Sequence, residues 1–93
     1  MKTNFVITAR LNDRVADSVE MAKAADRAIK AFCRGDWGLV PDEDKAYNNA
    51  DLKARQGHVL GRYDSPEGDL YINLEFDPEE KQDTACIMFA DEW

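Results

Sequence analysis

From Val15 to Phe32 apolar residues recur at steps of three and four (Val15, Val19, Ala22, Ala25, Ile29, Phe32), and the run stops at Gly35. That repeat belongs to one helix face, so it predicts an amphipathic helix of about five turns, opened by Asn12 or Asp13 and closed by a left-handed glycine. A helix with one apolar stripe must lay it on a second layer. In a chain of 93 residues there is room for one such pair of layers, and the expectation is a single domain over residues 1–93.

Sequence outside the helix reads as a sheet. "NFVITARLN" (4–12) alternates Phe5, Ile7, Ala9 and Leu11 against polar and β-branched neighbours, which predicts a first strand with one apolar face. "HVLGRY" (58–63), "LYINLEF" (70–76) and "TACIMF" (84–89) predict three further strands, joined by the turns "DSPEGD" (64–69) and "DPEEKQD" (77–83). In the second of these, Leu70, Ile72, Leu74 and Phe76 are expected to face inward and Tyr71, Asn73 and Glu75 outward. Short connections make the last three strands an antiparallel meander. The predicted fold class is α+β, with the helix packed on one sheet face, and the place of the first strand stays open.

Between helix and meander the periodicity lapses. Pro41 followed by Asp42, Glu43 and Asp44 predicts a short helix starting at Asp42, because carboxylates suit the positive helix end, with a second turn over Asn48–Ala54. Trp37, Leu39, Val40, Tyr47 and Leu52 give this connection enough apolar area to cover an edge or end of the sheet.

Charge is divided unevenly. The net charge is −7, with seven bases against four acids in residues 1–34 and fifteen acids against five bases in residues 35–93. A surface of that kind repels nucleic acid and attracts basic partners. Lys23, Arg27, Lys30 and Arg34 form a stripe on the exposed side of the long helix, either solvated cations near its negative end or a docking surface for acids.

Catalytic and metal chemistry find little support in the residue pattern. His58 is the only histidine and reads as a surface residue at a strand start. No zinc-like, calcium-loop or phosphate-loop spacing is present, so no catalytic, metal or cofactor residue is assigned. Cys33 and Cys86 each lie in an apolar run and read as free thiols in a reducing compartment. No early apolar segment or long apolar run marks a signal peptide or membrane span, which points to the cytoplasm.

The acids are the strongest chemical feature. Glu75 and Asp77 on one strand would project the same way, about 6.6–6.8 Å apart at twice the strand rise, and Glu79, Glu80 and Asp83 follow in the turn. Such a row can engage lysines and arginines that a protein otherwise uses on phosphates. The candidate partner-binding residues are Tyr71, as an aromatic anchor, with Glu75, Asp77, Glu79, Glu80 and Asp83.

"GDWG" (35–38), "EDK" (43–45), "LK" (52–53), "VLGRY" (59–63) and the terminal "FADEW" (89–93) together carry a resemblance. Over residues 6–93 the chain resembles a group of uncharacterised small proteins of phages, prophages and plasmids that are often labelled type I restriction subunits. It departs from them in having Tyr71 where they tend to have tryptophan, and in its longer acidic turn. The resemblance implies a mobile-element protein in a bacterial host cell and brings no catalytic residue with it. Joined to the acidic C-terminal part, it predicts a non-enzymatic inhibitor of a CRISPR or restriction system. The expected partner is a basic protein surface of the defence complex, without direct nucleic-acid or membrane contact. The alternative is a dimerising structural or regulatory module in which the Lys23/Arg27/Lys30/Arg34 stripe meets the acidic part of a second copy.

Overall fold

A computed structural model describes residues 3–79 and 82–93. The element order is β1 (Thr3–Ile7), α1 (Ala9–Asp17), α2 (Val19–Cys33), α3 (Asp42–Ala54), β2 (His58–Tyr63), β3 (Leu70–Glu75), β4 (Asp83–Phe89) and a final 3-10 turn (Ala90–Glu92). The four strands form one sheet in the order β1-β4-β3-β2. Strands β2, β3 and β4 are the expected antiparallel meander, and β1 joins β4 in parallel, Phe5 opposite Ala85 and Ile7 opposite Ile87. This is the α+β class read from the sequence, with α1 and α2 on one face.

The N-terminal part differs from expectation in two places. The first strand stops at Ile7 rather than Asn12, because Leu11 and Val15 lie one helical turn apart and α1 turns them onto the sheet, where Leu11 is fully buried. The single long helix is two. Ser18 breaks it, in an extended conformation, its hydroxyl accepting from the Met21 N–H at 3.2 Å while its own N–H closes α1 on the Arg14 carbonyl. The bend rotates the stripe, so α2 buries Met21, Ala24, Ala25, Ala28, Ala31 and Phe32, and Val19 is left exposed.

The end of α2 follows the sequence reading. Gly35 takes φ +78°, its N–H donates to the Phe32 carbonyl, and the Asp36 N–H donates to the Ala31 carbonyl, a Schellman closure. Trp37 then folds back into the core, edge-on to Phe32 at 5.1 Å, its indole N–H donating to Asn49 Oδ1 at 2.9 Å. The expected short helix begins at Asp42 and continues unbroken to Ala54.

Helices α1 and α2 cover the face formed by Val59, Leu70, Ile72, Leu74, Ala85, Ile87 and Phe89. The opposite face, hereafter the open face, carries the alternate residues: His58, Leu60 and Arg62 on β2, Tyr71, Asn73 and Glu75 on β3, and Thr84, Cys86 and Met88 on β4.

The two edges of the sheet are finished differently. On β2, the Arg62 N–H donates to the Trp37 carbonyl and the Leu39 N–H to the Arg62 carbonyl at 2.7 Å, while Asn48 of α3 bonds both the carbonyl and the N–H of Leu60. The chain passes so close at Gly38 that a Cβ there would collide with the Arg62 carbonyl, and its φ of +73° also requires glycine. On β1 no such cover exists among the described residues.

Candidate partner-binding face

Six residues were singled out in the sequence, and the structure separates them. Tyr71 and Glu75 lie on the open face, Tyr71 half-buried and Glu75 exposed. Asp77 and Glu79 lie beyond it, because β3 ends at Glu75 and the chain leaves the sheet. The expected carboxylate row along one strand is therefore not formed. Glu80 lies outside the described residues.

Asp77 organises its own turn: its carboxylate accepts from the Glu79 N–H at 2.9 Å and the Gln82 N–H at 3.2 Å. Asp83 faces the helix side and is 2% exposed, so it is not a surface contact. It accepts two bonds from the Arg55 guanidinium, at 2.7 and 2.9 Å, and one from the Asp77 N–H at 2.9 Å. Those Arg55 bonds hold the Asp83 carboxyl below the usual carboxylate range, against the upward push of burial. Arg55 reaches this position from a left-handed backbone, φ +54°, at the end of α3, with its guanidinium 5.3 Å from the Phe76 ring centre.

Other acids of the hairpins are also engaged within the chain. Arg14 holds Glu67 at 2.7 and 2.9 Å, and Arg62 holds Asp69 at 2.7 Å. The basic stripe on α2 is partly satisfied on its own helix, Lys30 to Asp26 at 2.9 Å and Lys23 to Glu20 at 3.9 Å.

A different cluster gathers on the open face. The terminal "FADEW" folds back because the Glu92 carboxylate accepts from the Phe89 N–H at 3.1 Å and the Thr8 hydroxyl at 3.2 Å, and Arg10 clamps Asp91 at 2.7 and 3.1 Å. This sets the Trp93 ring 5.8 Å from His58 and 6.1 Å from Tyr71. His58 pairs with Glu75 across the strands, Leu60 with Asn73 and Arg62 with Tyr71, so a ring near both His58 and Tyr71 stands over the intervening Leu60–Asn73 pair. Asn73 is correspondingly buried, and its Oδ1 has no hydrogen-bond partner. Next to His58 and Leu60 a groove of about 300 Å³ runs to α3, bordered by Asp44, Tyr47 and Asp51.

The face thus presents four rings, Tyr47, His58, Tyr71 and Trp93, with Asp44, Asp51 and Glu75 around them, while the Asn73 amide stays buried and its Nδ2 donates to Glu75 at 3.4 Å. Aromatic anchors ringed by polar groups suit protein recognition, and the excess of acceptors suits a partner rich in donors. Of the residues gathered here the sequence reading named Tyr71 and Glu75 as candidates and not the others, although the aromatic end of the acidic tail was visible in "FADEW".

An apolar concavity of about 240 Å³ opens on the helix side, lined by Phe5, Phe32, Cys33, Trp37 and Leu74 among others. No group of three or more His, Cys, Asp or Glu side chains able to hold a metal ion occurs among the described residues. No helix among them is long and apolar enough to cross a membrane. Compared with known proteins, the chain matches no family model, no curated protein and no solved structure.

Proposed function

We propose that this protein is a non-enzymatic, stoichiometric binder of a basic protein surface, acting in the bacterial cytoplasm as a mobile-element inhibitor of a nucleic-acid-binding defence complex of the CRISPR or restriction type. One observation carries the reading: on the open face the Trp93 ring lies against both Tyr71 and His58, His58 is the cross-strand partner of Glu75, and Asp44 and Asp51 border the adjoining groove. Arginines and lysines that a defence complex uses on phosphates would find carboxylates for their charge and rings for their planes. The binding site is thereby moved from the acidic turn to the sheet face, keeping Tyr71 and Glu75 and releasing Asp83 to a structural role.

The test is a pair of charge reversals in cells challenged with phage, with and without the defence system. Asp44→Lys, Asp51→Lys and Glu75→Lys together are expected to abolish inhibition while the chain stays folded by circular dichroism. Asp77→Lys with Glu79→Lys is expected to reduce it much less. Full inhibition by the folded triple variant sinks the proposal.

A further inference from the structure

We infer that β1 is a dimerisation edge at which two copies of this chain join their sheets in antiparallel register. The backbone geometry fixes which groups are offered. Ile7 is the bridging partner of Ile87, and the Thr8 N–H donates to the Ile87 carbonyl at 3.1 Å, so Asn4, Val6 and Thr8 turn their amides toward β4. In a parallel pair successive residues bond to opposite sides. Thr3, Phe5 and Ile7 therefore point their N–H and C=O groups outward, and no partner among the described residues meets them.

The row is self-complementary. Setting Phe5 of one copy against Phe5 of the other places Thr3 opposite Ile7 twice, and each of these three pairs exchanges two hydrogen bonds, leaving none of the offered groups over. Charge at this edge does not oppose a second copy as the occupant. The chain carries −7 overall, yet Thr3 to Ala9 holds no charged residue, so like charges are not brought together there. Edge strands that stay single are usually protected by charge, proline, a bulge or a covering element. Among the described residues strand β1 has none of these, while β2 is covered at Leu60 and Arg62.

This dimer does not depend on the proposed inhibition, but it would shape it. Antiparallel strands in one sheet keep their faces in common, so both open faces would look the same way and offer two linked sites.

Analytical ultracentrifugation across a concentration series, with amide exchange on the same samples, decides the matter. Wild-type protein is expected to dimerise, with exchange at Phe5 and Ile7 slowing as the dimer forms. Ile7→Pro removes an outward N–H without touching the β1–β4 bonds, a position where an edge strand tolerates proline. It is expected to raise the dimer dissociation constant at least about thirtyfold, through the loss of two inter-chain bonds. Should Ile7→Pro fail to fold, Val6→Lys serves as the second variant, placing like charge at the edge from an exposed position. A wild-type monomer throughout the series overturns the inference, as does a dimer whose Phe5 and Ile7 amides exchange at the monomer rate. A folded variant that dimerises like the wild type overturns it as well.

Discussion

Asp83 and Glu75 belong to neighbouring strands of one small sheet, and they show how differently its two faces spend a carboxylate. On the helix side Asp83 is buried and bound by Arg55 and by the Asp77 N–H, in register with residues that build the core. On the open side Glu75 is exposed, across the strands from His58, and accepts one long bond from the Asn73 amide, at 3.4 Å. Acidity alone therefore says little about binding in this protein. What separates a structural acid from an available one is how many donors of the chain itself already hold it.

The contrast can be broken most severely on the helix side. Trp37→Ala removes a buried indole between α2 and the sheet, and is expected to cost about 3–5 kcal/mol in urea unfolding. Asp83→Asn strands the Arg55 charge under cover, with an expected loss of about 3 kcal/mol, the low end for breaking a buried pair. That loss has a pH signature. The folded pKa of Asp83 lies below its unfolded value of about 3.9, so its stabilisation is complete above that value and disappears as pH falls through the folded one. The stability gap between wild type and Asp83→Asn should stay constant from neutral pH to about 5 and close below about 4. A gap that persists in acid would place the contribution of Asp83 elsewhere than in its charge.

Smaller effects sharpen the comparison. Asn48→Ala exposes the β2 edge and leaves the Leu60 N–H and carbonyl without their partner, an expected cost of about 2 kcal/mol. On the open face the sign should reverse. Asn73→Val removes a buried acceptor that has no donor, giving up in exchange only the long Asn73–Glu75 bond, and is expected to stabilise the fold by about 1 kcal/mol. Destabilisation by that variant would mean the amide is satisfied in solution and the open face is an ordinary sheet surface. Tyr71→Ala is expected to shift stability least among these changes and to reduce partner capture at least about tenfold.

Much of the scaffold was legible because its signals are local. Gly35 closing a helix, Asp42 opening one, two turn sequences and the strand alternation each depend on a few adjacent residues. Ser18 shows the limit. Its apolar neighbours continue the three-four spacing on either side, so the hydrophobic pattern hides a cap that only the packing of α1 against α2 requires. The pairing of β1 with β4 joins residues about eighty positions apart, and nothing in either strand specifies it in advance. The candidate site suffered most from this. Arg55 and Asp83 are separated by 28 positions, and Trp93 returns to His58 and Tyr71 from the end of the chain, so composition counted acids correctly but could not say which were already claimed.

The close passage at Gly38 and the side-chain graft from Asn48 have a bearing on what assembly could become. A sheet with two bare edges can add copies without limit, the geometry of a fibre. Here one margin is occupied by the chain's own backbone and amide, so joining at β1 uses up the only free margin each molecule has among the described residues. Association then stops at two, and the blocked margin works as a terminator.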